Sequence, residues 1–428
     1  MRLAIIGAGV GGCSAAFYAN RLIPSCDITV YESSARIGGR VYGVNLDNQR
    51  VEIGAAFFKK SNQFLTELLK EFKIKSNPIH NPTSIGIWNG KTFIIKTKHP
   101  TLAAILIFLR RPINIVRLLS TLRELDRRNQ IVYREARNHP SEWDELFTTA
   151  RIMEWLQRSL RDVLIEKGID SNFIDNILEP ITRVIYNQDS SLNAYAGLSA
   201  IKIIRGKTFN IDSGNELLPK RLLEESGAAL ELGLEVENID SREDGSYEVS
   251  GRDFSDTFDS VIIANQDTCN LKIETSLPMD CSSRIFQEVY VKIVRGNLNN
   301  SYFNIPPDGS LPDTIVSTRE VPFTHIIKLK SEGILPIYSI ASITPVNNLD
   351  DIFRDSEIMF QHKWSKAYPI FEPIQKMSKC RLDKFLYYPN CIESAVSAME
   401  PSIMSAFNSV YLLRKELDAS YFNGKVLK

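Results

Sequence analysis

The sequence predicts a mixed α/β chain: a Rossmann-like nucleotide-binding domain built from separated segments, and a second domain of mixed sheet and helices. Three observations carry this expectation. A short apolar strand, Leu3–Ile6, runs into a glycine cluster, and an acidic residue follows 20 positions after the last glycine. A second apolar run, Val261–Ala264, lies far downstream, as a strand returning to the same sheet would. Between them Thr101–Leu178 is poor in glycine and carries apolar residues at helical spacing, among them Leu156, Leu160, Val163 and Leu164.

Composition sets the outer limits. A chain of 428 residues suits two or three domains, and 43% hydrophobic with 24% charged residues is ordinary for a globular enzyme. Lys+Arg and Asp+Glu both number 51, so no basic field argues for nucleic acid. The cysteines at 13, 26, 269, 281, 380 and 391 form no Cys-x-x-Cys pair and are expected as free thiols. The five histidines stand apart, so no metal is expected. The Asn299-Asn300-Ser301 acceptor tripeptide is of a kind that arises by chance. No signal peptide is visible ahead of the first strand, and Leu102–Leu109 is far shorter than the roughly 20 residues that span a bilayer.

The opening motif is Gly7-Ala8-Gly9-Val10-Gly11-Gly12. Gly7 suits the tight turn, Gly9 lets backbone approach a pyrophosphate, and Gly12 allows close helix–strand packing, followed by the small Ser14-Ala15-Ala16. The helix N-terminus offers N–H groups and a positive dipole end to phosphates, with Gly11 in its first turn. A second strand, Ile28–Tyr31, ends in Glu32, placed to accept from ribose hydroxyls and to disfavour a 2′-phosphate. These residues alone leave a mobile NAD and a resident FAD both open.

The next residues select FAD. Ser33–Val41, with Gly38, Gly39 and Arg40, resembles the second glycine motif of glutathione-reductase-like flavoproteins, the amine oxidases and their relatives. The resemblance implies that Gly38-Gly39 brings backbone to the cofactor and that Arg40 lies near the diphosphate. Val51–Ala56, containing Gly54 and Ala55, resembles the segment that passes the flavin ring. Ala228–Ile239 resembles the strand pair whose Val236 touches adenine, and Phe258–Asn265, with Ala264, resembles the strand that returns to the nucleotide. Leu386–Ala406 reads as a strand, a turn and a helix start. By resemblance Glu393 and Met399 there face the flavin, and the helix dipole supports charge on the pyrimidine edge.

Four further stretches, Phe173–Gln188, Leu192–Leu198, Ser213–Pro219 and Tyr387–Ser402, resemble the prenylcysteine oxidase family. That resemblance implies a non-covalent FAD, a farnesyl- or geranylgeranyl-cysteine substrate and O2 as acceptor. A hydride leaves the prenyl C1 for flavin N5, water adds to the thiocarbenium carbon, and the hemithioacetal collapses to a prenyl aldehyde and cysteine, with hydrogen peroxide formed. No catalytic side chain is assigned, because hydride transfer needs no evident base and the chemistry belongs to the flavin. Ser213, Cys391 and Lys59-Lys60 depart from the family pattern, which has Gly, Gly and His-Pro there. Two other readings stay open: a different FAD oxidase of amine, protoporphyrinogen or carotenoid type, or a non-catalytic flavin-fold protein that binds lipid. The family implies a lysosomal or other membrane-bound compartment, although the chain carries no address.

The segments divide accordingly. Residues 1–75, 201–270 and 376–428 are expected to bind FAD, 76–200 to form a mostly helical insertion, and 271–375 to add a mixed sheet. Leu102–Ser120, with Arg110, Arg111 and Arg117 among aliphatics, has two readings. It is either an interfacial helix making peripheral membrane contact, or a core-packed helix with solvated arginines, broken near Pro112.

Overall fold

The computed structural model describes residues 1–47, 49–79, 83–266, 271–274, 284–319, 321–330 and 333–426. Cys269 and Cys281 lie outside the described residues, whereas Cys13, Cys26, Cys380 and Cys391 are free thiols.

Two large sheets organise the chain. The first has six strands in the order Arg381–Asp383, Leu386–Tyr387, Ser260–Ile263, Arg2–Ile6, Asp27–Glu32 and Ala229–Leu232. All its pairings are parallel except the outermost, Arg381–Asp383 with Leu386–Tyr387. Arg2–Ile6 sits centrally and is apolar from Leu3 onward because helices cover the sheet. Helix Val10–Leu22 packs against helices Leu217–Ser226 and Met399–Val426. Ala228–Ile239 is divided between sheets: Ala229–Leu232 joins the first, and Asn238–Ser241 a four-stranded sheet with Tyr247–Gly251, Phe254–Phe258 and Lys272–Glu274.

The second large sheet has seven strands: Phe353–Pro369, Phe286–Leu298, Ile337–Ser342, His325–Leu329, Thr314–Ser317, Ile85–Trp88 and Phe93–Thr97. It is mixed, since Ile85–Trp88 runs parallel to Thr314–Ser317 while its other pairs are antiparallel. One face covers a core containing Trp88, Phe303, Phe323 and Phe353. The other carries Val289, Val291 and Ala341 toward the hairpin of Gly43–Leu46 and Gln49–Glu52.

Helices fill residues 100–204 almost throughout. The helical spacing of Leu156, Leu160, Val163 and Leu164 falls on two helices, Met153–Leu156 and Leu160–Glu166. Ser159 divides them: its Oγ accepts from Asp162 N at 3.1 Å, an N-cap that starts a new helix. The chain also breaks at Arg111, giving helices Pro100–Arg110 and Pro112–Asn138, each with proline at its start. The core-packed reading of Leu102–Ser120 does not hold, although the break near Pro112 is present. Leu118 is buried, but Leu102, Ile105, Phe108, Leu109, Ile113 and Val116 face outward. No helix among the described residues is long and apolar enough to cross a membrane.

Candidate functional site

Both large sheets and the helical layer face a single cavity of about 1790 Å³. Ligand pockets commonly hold about 300–1,000 Å³, so this one has room for a large cofactor and a second molecule. Of the residues singled out from sequence, Gly7, Gly9, Gly11, Glu32, Ser33, Gly38, Gly39, Arg40, Gly54, Ala55, Val236, Ala264, Glu393 and Met399 line it. Gly12 does not; it packs behind the wall. A Cβ there would lie 1.8 Å from the Gly7 carbonyl oxygen, so only glycine lets helix Val10–Leu22 sit this close to the turn.

The first motif and the second are tied by backbone. Gly38 N donates to Ala8 O at 2.8 Å, and Gly9 bridges Gly38. Glu32 completes this corner: its carboxylate accepts from Ala8 N at 2.8 Å and from Ser34 N at 2.9 Å. The carboxylate therefore holds both glycine loops while facing the cavity where a ribose would lie. Asn390, within the Tyr387–Ser402 stretch, is part of the same wall. Its side-chain amide donates to Ala264 O at 3.2 Å and Asn265 O at 2.5 Å, locking the returning strand to the C-terminal segment.

Arg40 follows the second glycine pair directly, and its guanidinium pairs with Glu393 and donates to Ala367 O at 3.2 Å and Ser397 Oγ at 3.3 Å. The Glu393 side chain is only 1% exposed. Its second oxygen has no hydrogen-bond partner, and Arg284 Nη1, likewise unpartnered, lies 3.8 Å away. Unsatisfied polar atoms beside a cavity fit a polar ligand group that completes them. Tyr186 and Tyr368 meet edge to face at 5.3 Å beside this cluster, and Tyr186 donates to Ser397 O at 3.2 Å. Burial holds the Tyr186 phenol above its ordinary range, so it is a neutral donor.

The segment expected to pass the flavin is braced from outside. Gly54 crosses the Arg40 backbone so closely that a Cβ would lie 2.0 Å from Arg40 O. Asn215, in the Ser213-Gly214-Asn215 stretch, is fully buried and donates to Ala55 O at 2.8 Å while accepting from Ile211 N at 2.9 Å. Lys59, one of the departures, lines the cavity with its ammonium against the carbonyls of Lys202 and Ile203, at 2.8 and 3.3 Å, and of Arg205. Burial and neighbouring cations lower it to about 8. Cys391 is buried outside the cavity lining, its thiol pushed well up by burial, so it is not placed to bond a ligand there.

Two titratable groups escaped the sequence reading. Glu400, in the first turn of helix Met399–Val426, accepts from Phe64 N at 2.9 Å and Leu65 N at 2.8 Å. Burial pushes it up to about 7 despite those donors. His325 faces the cavity from the seven-stranded sheet, 3.3 Å from Thr324 Oγ1, and burial lowers it to about 4. No group of metal-ligating side chains occurs among the described residues. The sheet adds apolar side chains to the lining, Val289, Val291, Ile327 and Ala341, and the helices add Val132 and Ile185, with Asn187 and Lys328 as polar neighbours of His325.

Comparison with known proteins agrees with this arrangement. A profile described as prenylcysteine lyase matches residues 102–423, and one described as an NAD(P)-binding Rossmann-like domain matches 5–72. Farnesylcysteine lyase of Arabidopsis thaliana is 24% identical over 96% of this chain and 87% of its own length. Prenylcysteine oxidase 1 of Bos taurus is 25% identical over 96% of this chain and 88% of its own. Among solved structures, cyclohexylamine oxidase from Brevibacterium oxydans superposes with a TM-score of 0.66 at 15% identity, covering 97% of this chain and 99% of that one. Putrescine oxidase bound to putrescine gives 0.62 at 15%, covering 98% and 99%.

Proposed function

The chain belongs to the prenylcysteine lyase family and is an FAD-dependent oxidoreductase, and from this premise we propose that it cleaves the thioether of prenylcysteines. In the reaction R–CH2–S–Cys, O2 and H2O become R–CHO, cysteine and H2O2. The observation that carries the reading is the cavity itself. It joins glycine loops suited to a dinucleotide with an apolar wall suited to a prenyl chain.

Residues 1–75, 201–270 and 376–428 form the cofactor part in this reading, and 76–200 with 271–375 the substrate part. Glu32 takes the ribose, Gly9 and Gly11 offer backbone to the pyrophosphate, Val236 meets the base, and the start of helix Met399–Val426 faces the flavin. Bound there non-covalently, FAD would supply the hydride acceptor that the chain lacks. The protein's part is orientation and dryness. Val289, Val291, Ile327 and Ile185 exclude bulk water from the thioether carbon, so that only an admitted water adds to it. His325 stays neutral in that wall and presents an uncharged nitrogen.

The test is an absorption spectrum of the purified yellow protein before and after adding farnesylcysteine under nitrogen. Bleaching of the flavin band near roughly 450 nm, a property of the cofactor, with farnesal and free cysteine after air is admitted, is the expected result. A band unchanged by farnesylcysteine but bleached by a polyamine or protoporphyrinogen would replace the substrate; one unchanged by all of them would leave a lipid-binding flavin fold.

A further inference from the structure

We propose that the outward face of helices Pro100–Arg110 and Pro112–Asn138, around their junction at Arg111, docks on an anionic lipid bilayer. Six large apolar side chains, Leu102, Ile105, Phe108, Leu109, Ile113 and Val116, stand exposed along this face, with Leu109 at 69% and Ile113 at 63%. A contiguous apolar surface of this kind on a water-facing helix marks an interaction site.

Charge identifies the partner. Between Phe72 and Arg123 the sequence holds nine lysines and arginines and no aspartate or glutamate, within a chain whose net charge is zero. Arg110, Arg111 and Arg117 border the apolar face directly and are exposed. Asp170 approaches Arg111 at 3.7 Å and Arg117 is held by the Gly168 carbonyl, so Arg110 carries the least compensated charge at the junction. An apolar stripe rimmed by cations lies in the plane of a bilayer, apolar side in the acyl boundary and guanidinium groups at anionic headgroups. The helix Pro100–Arg110, of 11 residues, is long enough to lie on a membrane and too short to cross one. A second copy of the chain is a poorer occupant, because a two-fold contact would set the same cations against each other.

The test is co-sedimentation of the flavin-loaded protein with vesicles of phosphatidylcholine alone and of phosphatidylcholine with 30% phosphatidylserine (roughly the anionic content that attracts basic segments). Partition into the anionic vesicles is expected to be at least about tenfold stronger, and to weaken as salt rises. Phe108→Glu with Leu109→Glu, and separately Arg110→Glu with Arg111→Glu, should each lower it by about tenfold or more. Both pairs are exposed, so circular dichroism should not change, nor should melting for the Phe108/Leu109 pair; the arginine pair also loses the Arg111–Asp170 contact. Equal or absent partition for the parent, or unchanged binding by the Phe108/Leu109 pair, overturns the proposal. So does a dimer in light scattering that the same pair converts to monomer. Vesicle binding is read without turnover, so its failure and failure of the thioether reaction are separate results.

Discussion

Asn215 donates its side-chain amide to the carbonyl of Ala55 at 2.8 Å, joining two segments that are far apart in sequence but adjacent at the cavity wall. Its side-chain oxygen accepts from Ile211 N, so the amide is used on both sides. Asn215→Ala leaves a buried carbonyl and a buried N–H unpaired, at about 1–3 kcal/mol each. The melting temperature should fall, and bound flavin should be lost on dialysis from the variant but not from the parent. Full flavin retention by Asn215→Ala would show that Ala55 does not need the brace.

Gly11 and Gly12 both lie in helix Val10–Leu22, and alanine gains the same helix propensity at either, about 1 kcal/mol. Their surroundings differ. A Cβ at 11 meets Asn390 Oδ1 at 3.3 Å, whereas one at 12 meets backbone at 1.8 Å. Gly11→Ala should therefore fold and yield by a small side-chain shift. Gly12→Ala should give little folded protein. Comparable melts for the two would contradict the packing role assigned to Gly12.

Arg40 balances a Glu393 carboxylate that has almost no water access. Removing one partner of a buried pair costs up to about 3–5 kcal/mol, and the Arg284 guanidinium, 3.8 Å from Glu393, offsets part of that. Arg40→Met should destabilise by that order in urea titration, and Arg40→Met with Glu393→Gln should recover much of the loss. An additive double variant would mean that the pair is not coupled.

Glu400 and His325 tilt the stability curve in opposite directions. Glu400 is raised from 4.5 to about 7, so its contribution is full below 4.5 and is lost as pH rises through 7. His325 is lowered from 6.5 to about 4, so its contribution is present above 6.5 and is lost as pH falls through 4. Between 4.5 and 6.5 the two slopes oppose, each at roughly 1 kcal/mol per pH unit. Melts of Glu400→Gln should rise with pH across that window, and melts of His325→Gln should fall. Parallel curves for parent and variants would remove both groups from the balance.

What could be read ahead of the structure followed the range of the interaction. The glycine loop, Glu32 and the Val261–Ile263 strand are set by local pattern, and each takes its expected place in the parallel sheet or at its edge. The Leu156–Leu164 spacing marks helix but not its boundary, because apolar spacing continues through the break that Ser159 makes. Arg40 with Glu393, Glu400 with Phe64, and Asn215 with Ala55 are separated by well over 100 residues. No local spacing encodes such pairs. Beside Ser213, which stands where the family pattern has glycine, Gly214 takes the positive φ of 98° and Asn215 makes the contacts.

The first sheet has a consequence for how the protein is made. Its central strand, Arg2–Ile6, is made before the partner on one of its edges, since Leu3 pairs with Ser260, and Val261 in turn with Leu386. That edge stays open until residue 260 has been made, and the cavity is closed by residues around Met399. The nascent chain therefore has no complete cofactor pocket, and exposed apolar strand edges are what chaperones and neighbouring chains engage. The cofactor pocket is complete only once the residues around Met399 are in place, and truncation before Met399 removes the wall that closes it.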